Sequence, residues 1–185
     1  MEKTSQLPRI GKRTTVASSK LFRIEQLELT FSNGVERVYE RMEGSGRGSV
    51  MVVPMLDDNT FLLVREYCAG THSYELGFPK GLIDAGEVAE HAANRELKEE
   101  IGYGTPSLQL LKSVAMAPAF FSGNMHIYLA TDLYPERLEG DEPEPLEIVP
   151  WKVDDYLTLL AQEDFQEARS ITALMLTIDQ LRSEK

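Results

Sequence analysis

A group of acidic residues lies inside a segment of this chain that has helical periodicity. Residues 88–101 carry apolar side chains at four-residue spacing, which predicts a helix with one face on a sheet. The apolar positions are Ala89, Ala93, Leu97 and Ile101. On that helix, Glu96, Glu99 and Glu100 fall within roughly a 100° arc beside the apolar ridge. Carboxylates this close repel one another unless cations lie among them.

The chemistry of these side chains indicates which cation fits. Carboxylate oxygens are hard ligands that suit Mg²⁺ or Mn²⁺, whereas zinc favours His or Cys. Arg95 offsets part of the charge, but one guanidinium does not neutralise three acids. A solvated acidic helix face is the simpler interpretation of a bare Glu-Glu pair. Only the surrounding residues can distinguish such a face from a metal-binding cluster.

Composition and charge limit the class of partner. The chain has 185 residues, 42% hydrophobic, and a formal net charge of −11, so it has no general attraction for nucleic acid or anionic membranes. We expect neither as a partner, and an anionic substrate would need a cation locally. Cys68 is the only cysteine, and we see no signal peptide or apolar run of about 20 residues. These features predict a soluble cytoplasmic protein.

The remaining patterns predict a mixed α/β chain without internal repeats. Alternating residues at 21–41, broken by Asn33-Gly34, predict a β-hairpin. A second hairpin is predicted from 50–56 and 61–64, further strands at 108–116, 125–130 and 148–151, and helices at 154–161 and 164–183. Elements mixed in this way indicate helices covering a mixed sheet.

The acidic segment also resembles a known motif. Starting at Gly81, the sequence fits G-x5-E-x7-R-E-U-x-E-E-x-G-U, where U is aliphatic, at every specified position but the last, which is Tyr103. This is the motif of the Nudix hydrolases, and we call residues 81–103 the box. The resemblance implies an α/β/α sandwich with a mixed sheet that hydrolyses a nucleoside diphosphate linked to another moiety. It divides the chain into an N-terminal strand-rich region with a β-hairpin, residues 1–46, and a Nudix domain, residues 47–185.

The resemblance also assigns roles within the box. It implies that Glu96 and Glu100 are the principal ligands of Mg²⁺ or Mn²⁺, with Glu99 as the adjacent third carboxylate. Glu99 and Glu100 are thereby candidate catalytic residues. The backbone at Lys80 and Gly81 is implied to lend a carbonyl to the metal. Two further residues support the cluster, Glu87 and Arg95.

Similarity outside the box suggests a substrate class. Residues 39–42, 64–67, 73–78, 80–84 and 140–145 resemble the ADP compounds hydrolase branch (NudE-like), near the ADP-ribose pyrophosphatases. The resemblance implies release of AMP from ADP-ribose, diadenosine triphosphate or NADH. The spacing from Glu75 to the box glycine is two residues longer than in the ADP-ribose pyrophosphatases, which favours the broader specificity.

Several residues are candidates for substrate contact. Glu75 occupies the position of a substrate-binding glutamate in the ADP-ribose pyrophosphatases. Arg65 either contacts a phosphate or pairs with a nearby acid at a strand edge; Arg41 and Arg47 are similar candidates. Tyr39, Phe78 and Phe120 either stack on adenine or belong to the core.

The acidic, proline-containing run at residues 139–147 admits two interpretations. Its composition is typical of a solvated linker. Alternatively, Glu142 or Glu144 acts as general base or extra metal ligand when substrate binds, because a mobile loop suits a base that assembles only in the closed complex.

Other functions stay open at this stage. A non-catalytic nucleotide-sensing module is one alternative, and a Nudix hydrolase of nucleotide sugars, coenzyme A or capped RNA is another. The resemblance implies a homodimer in which N-terminal strands contribute to the partner's site.

Overall fold

The computed structural model describes residues 6–44 and 46–183, which form two compact units. The first unit takes in Met1–Gly46 and Ala115–Gly123, and the second takes in Arg47–Val114 and Asn124–Lys185. Among the described helices, none has the length and apolar character needed to cross a bilayer.

The first unit is built around an antiparallel sheet of three strands in the described residues. Its strands, paired in the order β1-β2-β3, are β1 (Arg9–Ser18), β2 (Arg23–Thr30) and β3 (Glu36–Glu43). The predicted hairpin is the β2–β3 pair, in which Gly34 has a φ of 82° and the Asn33 side chain accepts the Val35 N–H at 3.1 Å. Strand β1 was not predicted, because every one of its residues is exposed and it shows no inside–outside alternation.

The second unit contains a mixed sheet. In the described residues its main path runs β12-β5-β4-β10-β9, with β6 added on β5 and β7 on β4. Strand β10 is parallel to β4, whereas β5 is antiparallel to β4, β6 and β12. The strands of this sheet are β4 (Ser49–Asp57), β5 (Thr60–Cys68), β6 (Ser73–Gly77), β7 (Lys80–Leu82), β9 (Ser107–Ala115), β10 (Asn124–Thr131) and β12 (Glu147–Lys152). Two short strands, β8 (Tyr103–Gly104) and β11 (Tyr134–Pro135), pair antiparallel in a separate sheet.

Helices lie on both faces of this sheet. They are α1 (Ala89–Glu96), which continues into a π-helical turn (Leu97–Ile101), a 3-10 turn (Val153–Asp155), α2 (Tyr156–Leu160) and α3 (Ala168–Ser183). Val50 and Val52 of β4 share a buried cluster with Leu97, while α3 packs on β4 and β10. Since β4 is buried from Ser49 to Met55, it is covered on both faces. The predicted α/β/α sandwich is therefore the observed architecture.

Candidate active site

The box begins on β7, passes through α1 and ends in the π-helical turn. Of the predicted apolar ridge, Ala93, Leu97 and Ile101 are buried, each at most 1% exposed, and Ala89 packs partly buried against the same core cluster, so the ridge does seat the helix on the sheet. The π turn is closed by the Gly102 N–H donating to the Leu97 carbonyl, and Gly102 has a left-handed φ of 73°. This wider turn carries Glu99 and Glu100, whereas Glu96 ends the α-helix proper.

Arg95 connects the acids of the box. Its guanidinium donates to Glu87 (Nε–Oε1 and Nη2–Oε2, both 3.0 Å), to Glu96 (2.7 Å) and to Glu99 (2.9 Å). It also donates to the Leu82 carbonyl at 2.9 Å, which fixes it to the end of β7. One planar side chain thus holds three carboxylates in a common orientation.

Glu96 and Glu100 are buried, with 7% and 5% of their surface exposed. Burial raises the pKa of Glu96 to about 7 against the opposing effect of Arg95, and it raises the pKa of Glu100 to about 8 against the opposing charge of Lys80. Glu100 Oε1 accepts the Lys80 backbone N–H at 3.1 Å, while its Oε2 accepts nothing from the described residues. A buried carboxylate oxygen of this kind is costly without a partner.

Gly81 is required by the packing of Glu96. A Cβ on Gly81 would lie 2.0 Å from Glu96 Oε1, so only glycine lets the carboxylate lie against β7. The absence of a side chain at Gly81 therefore leaves room for the Glu96 carboxylate.

The donor set fits a divalent cation. Among residues 6–44 and 46–183, no three acidic, histidine or cysteine side chains are gathered in a metal-binding arrangement, and Arg95 binds Glu87, Glu96 and Glu99. However, Glu100 keeps a buried oxygen without a hydrogen-bond donor among the described residues, and its neighbour in the cluster is the equally buried Glu96. Hard oxygen donors that are buried and underneutralised match the ligand preference of Mg²⁺ and Mn²⁺.

The acidic run forms a loop between β11 and β12. Glu142 is half-buried and is near enough to the box for its charge to contribute, after burial and other effects, to the raised pKa of Glu96. Glu144 is exposed, and its carboxylate accepts the Tyr74 hydroxyl. The two candidate bases thus differ in environment: the charge of Glu142 acts on Glu96, whereas Glu144 accepts a hydrogen bond from Tyr74 of β6.

The predicted substrate residues of the second unit already have protein partners. Arg65 donates to Glu147 at 2.9 Å and to Asp164, which is the strand-edge pairing considered as the alternative. Glu75 is buried and accepts from Ser73 (2.6 Å) and Gln166 (3.1 Å). The Lys80 ammonium pairs with Glu66. For Arg65 to contact a phosphate, its ion pairs with Glu147 and Asp164 would have to rearrange.

The two arginine candidates from the N-terminal region, Arg41 and Arg47, fall in different units. Arg41 pairs with Glu25 at 2.8 Å, and Arg47, assigned to the second unit at its boundary, is exposed. Among the aromatic candidates, Phe78 is fully buried and packs against Phe61 and Phe165, with ring centroids 5.5 and 6.3 Å away, so adenine stacking by Phe78 is excluded. Tyr39 and Phe120 are 52% and 57% exposed, so the core interpretation was wrong for these two.

Sequence reasoning missed three residues beside the box. Glu66 pairs with Lys80. Tyr67 and Tyr74 lie opposite each other on β5 and β6, and their rings form an edge-to-face pair with centroids 5.8 Å apart. Strand β6 was not predicted, so nothing in the pattern placed Tyr74 opposite Tyr67. The closely spaced aromatics on either side of Ala69-Gly70 were the available signal for a hairpin here.

With this geometry established, comparison with protein families is decisive. A model of the NUDIX domain matches residues 46–175, and a model of the NudE-type Nudix hydrolase N-terminal domain matches residues 8–41. The chain belongs to the Nudix hydrolase family, as the box indicated. Members of this family generally use divalent metal cations.

Individual relatives agree with this assignment. The chain is 54% identical to "ADP compounds hydrolase NudE" of Escherichia coli over 184 residues, covering 100% of this chain and 98% of that protein. It is 28% identical to an "ADP-ribose pyrophosphatase" of Bacillus subtilis, over 69% of this chain and 70% of the relative. A crystal structure titled "ADP compounds hydrolase" superimposes with a TM-score of 0.93 at 54% identity, over 99% of this chain and 98% of that one.

Proposed function

We propose that this Nudix hydrolase cleaves the diphosphate link of ADP-containing compounds and releases AMP. The observation that carries the proposal is the buried pair Glu96 and Glu100 within a box that fits the motif at every position but the last, and Glu100 keeps an oxygen that no described residue satisfies. The full-length similarity to an ADP compounds hydrolase supports the substrate class. Candidate substrates are ADP-ribose, diadenosine triphosphate and NADH.

We assign Glu96, Glu99 and Glu100, with the backbone carbonyl at Lys80, as the residues that hold Mg²⁺ or Mn²⁺. Bound there, the cation would neutralise the anhydride oxygens and lower the pKa of a bound water. Arg95 keeps Glu96 and Glu99 oriented, and Gly81 leaves room for Glu96. These residues therefore act by fixing the positions of carboxylates before substrate arrives.

For proton transfer, the environments favour Glu142 over Glu144. Glu142 is half-buried and electrostatically coupled to Glu96, whereas Glu144 accepts the Tyr74 hydroxyl. In the reaction, water oxygen bonds to phosphorus, the bridging P–O bond breaks, and the loop carboxylate takes the proton of the water. The bridging oxygen leaves with the second phosphate group.

The other predictions that follow from the family concern the assembly and its location. We expect a homodimer in which residues 1–46 contribute to the interface, which sedimentation or light scattering measures. We also expect the protein to act in the cytoplasm on small molecules and not on RNA.

A substrate panel tests the proposed function. The purified protein is incubated with ADP-ribose, diadenosine triphosphate or NADH, with Mg²⁺ or with EDTA, and the products are separated by nucleotide chromatography. We expect AMP from these substrates only when the cation is present. Binding by calorimetry without turnover of any of them would instead favour the sensing module, and turnover of nucleotide sugars or coenzyme A alone would reassign the substrate class.

A further inference from the structure

A cleft of about 380 Å³ lies in the second unit beside the box. One wall is the end of the β5–β6 hairpin, with Tyr67 and Tyr74, and the other is the acidic loop from Glu142 to Glu147. The Tyr74 hydroxyl donates to Glu144, so the hairpin and the loop are joined at one side. The cleft is therefore partly enclosed, with its two walls in contact at one side.

Contacts connect this cleft to the carboxylate cluster. Glu66, which lines the cleft, pairs with the Lys80 ammonium, and the Lys80 backbone N–H donates to Glu100 at 3.1 Å. On the opposite wall, the charge of Glu142 acts on Glu96. A substrate with its anhydride at the cluster thus has one of its ends beside the cleft.

The lining favours a neutral ring and hydroxyl groups over phosphate. Four of the lining residues are glutamates and one is an arginine, and that arginine, Arg65, already donates to Glu147 and Asp164. Phosphate would meet net negative charge here, whereas sugar hydroxyls can donate to carboxylates. Tyr67 and Tyr74 are 46% and 51% exposed, and exposed tyrosine faces are platforms for aromatic bases.

The type of recognition indicates which end of the substrate enters. None of the described lining residues is Asn or Gln, the side chains that read an adenine edge with paired hydrogen bonds. Stacking tolerates different bases, since every base has a π-face. A tolerant platform suits the part of the substrate that varies between ADP compounds, and not the constant adenylate.

We propose that this cleft binds the nucleoside at the variable end of the substrate, the end that does not leave as AMP, by stacking on Tyr67 and Tyr74. This inference rests on the proposed function and adds a determinant of substrate preference to it. It predicts that the cleft raises kcat/KM for substrates whose variable end carries a base. The cleft contributes little to kcat/KM for ADP-ribose, whose ribose phosphate end has no base.

Variants at the two tyrosines test the proposal on three substrates. For Tyr67→Leu and Tyr74→Leu, we expect kcat/KM for diadenosine triphosphate and NADH to fall about tenfold, the size typical of a lost base–aromatic stack. For ADP-ribose we expect less than about a twofold change, since its variable end has no base to stack. Tyr67→Phe and Tyr74→Phe keep the rings, so the ratio of kcat/KM for NADH or diadenosine triphosphate to kcat/KM for ADP-ribose should stay at the wild-type value. Tyr156→Leu, on α2, is the matched control.

Each other outcome has a defined meaning. An equal loss on all three substrates, in variants whose thermal unfolding matches the wild type, overturns the proposal and places the common adenylate in the cleft. The proposal is also overturned if Tyr67→Leu and Tyr74→Leu leave the ratio of kcat/KM between the base-bearing substrates and ADP-ribose unchanged. If the wild-type protein hydrolyses none of the three, the proposed function fails. Fluorescence titration with reduced nicotinamide mononucleotide then decides the inference: saturable binding lost in Tyr67→Leu supports it, and no binding overturns it.

Discussion

At the scale of single residues, Arg95 governs the arrangement of the box. It donates to Glu87, Glu96 and Glu99 and to a backbone carbonyl of β7, and no lysine can make these planar, forked contacts. Removing it would leave partly buried carboxylates without their counter-charge. Arg95 is therefore a positioning residue whose loss should affect both the fold and the reaction.

For Arg95→Gln, we expect the free energy of unfolding to fall by about 2 kcal/mol, because truncation of a partly buried ion pair leaves charges uncompensated. Urea denaturation followed by circular dichroism measures this. Arg23→Gln is the control: its pair with Glu43 spans 3.5 Å and is largely exposed, so a change within about 0.5 kcal/mol is expected. Equal losses in the two variants would contradict the account.

Gly81 offers a second test at this scale. In Gly81→Ala, the new Cβ would lie 2.0 Å from Glu96 Oε1, and the side-chain end can move while the backbone stays. We expect a folded protein whose kcat is reduced about tenfold or more, since small displacements of catalytic groups are costly. Gly70→Ala, where nothing lies within 4 Å of the new Cβ, should keep wild-type activity. A fully active Gly81→Ala would show that the position of Glu96 is unimportant.

The residue types in the box were sufficient to predict that its glutamates lie close together. The pairing of side chains outside the box could not be predicted in this way. The sequence was equally consistent with Arg65 contacting a phosphate or pairing with an acid. Its partner Glu147 lies 82 positions away in the sequence, so no local pattern could show the pairing. Phe78 was ambiguous for the same reason, since its neighbours Phe61 and Phe165 come from distant segments. Periodicity describes one element and cannot state which elements meet.

At the scale of elements, the chain shows where periodicity succeeds and fails. The two hairpins and the ridge of α1 follow from turn residues and apolar spacing. The π turn at Leu97–Ile101 was not predicted, since its apolar residues, Leu97 and Ile101, keep the spacing of an α-helix. Such turns are rare and often occur at functional sites, and here the turn bears two of the three glutamates.

Helix α3 begins four residues later than predicted, and Glu167 accounts for the start. Its carboxylate accepts the backbone N–H groups of Arg169 (3.0 Å) and Ser170 (2.9 Å), as an N-terminal cap does. Burial opposes ionisation, but the Arg169 guanidinium and these N–H groups outweigh it and lower the pKa of Glu167 below 4.5.

This cap predicts a pH-dependent contribution to stability. Because the pKa of Glu167 is lower in the folded state, its contribution is fully present above about pH 4.5 and is lost as the pH falls through the folded pKa. We expect Glu167→Gln to lower the free energy of unfolding by about 1 kcal/mol at pH 7 and by progressively less below pH 4.5. Denaturation of wild type and variant across that range measures it, with exposed Glu163→Gln as control; a pH-independent difference would contradict the capping role.

At the scale of the whole molecule, the chain is an acidic protein proposed to act on acidic substrates. Its formal net charge is −11, so any cation relieves some repulsion, and a specific site has to be distinguished from general screening. The box predicted the class of protein and the central fold, whereas the two-unit organisation includes a first strand whose exposed residues gave no signal. Oligomeric state depends on surfaces that a sequence pattern does not describe.

Specific binding of Mg²⁺ should change the melting temperature differently from general charge screening. Millimolar Mg²⁺ should raise the melting temperature by several degrees, because a ligand that binds only the folded state stabilises it by mass action. NaCl at matched ionic strength should raise it less. The Glu96→Gln/Glu100→Gln double variant should respond to the two salts alike, as followed by differential scanning calorimetry. An equal response of the wild type to both salts would indicate screening alone.

We propose that the buried carboxylates of the box hold the cation on which hydrolysis depends. The most direct test compares Mg²⁺-dependent release of AMP from ADP-ribose by the wild type and Glu100→Gln, a variant that keeps an acceptor for the Lys80 N–H but removes the charge. For Glu100→Gln we expect a loss of about a hundredfold or more in kcat with an intact fold, and for Glu139→Gln, on the exposed loop, we expect no loss. Undiminished release of AMP by Glu100→Gln would contradict it.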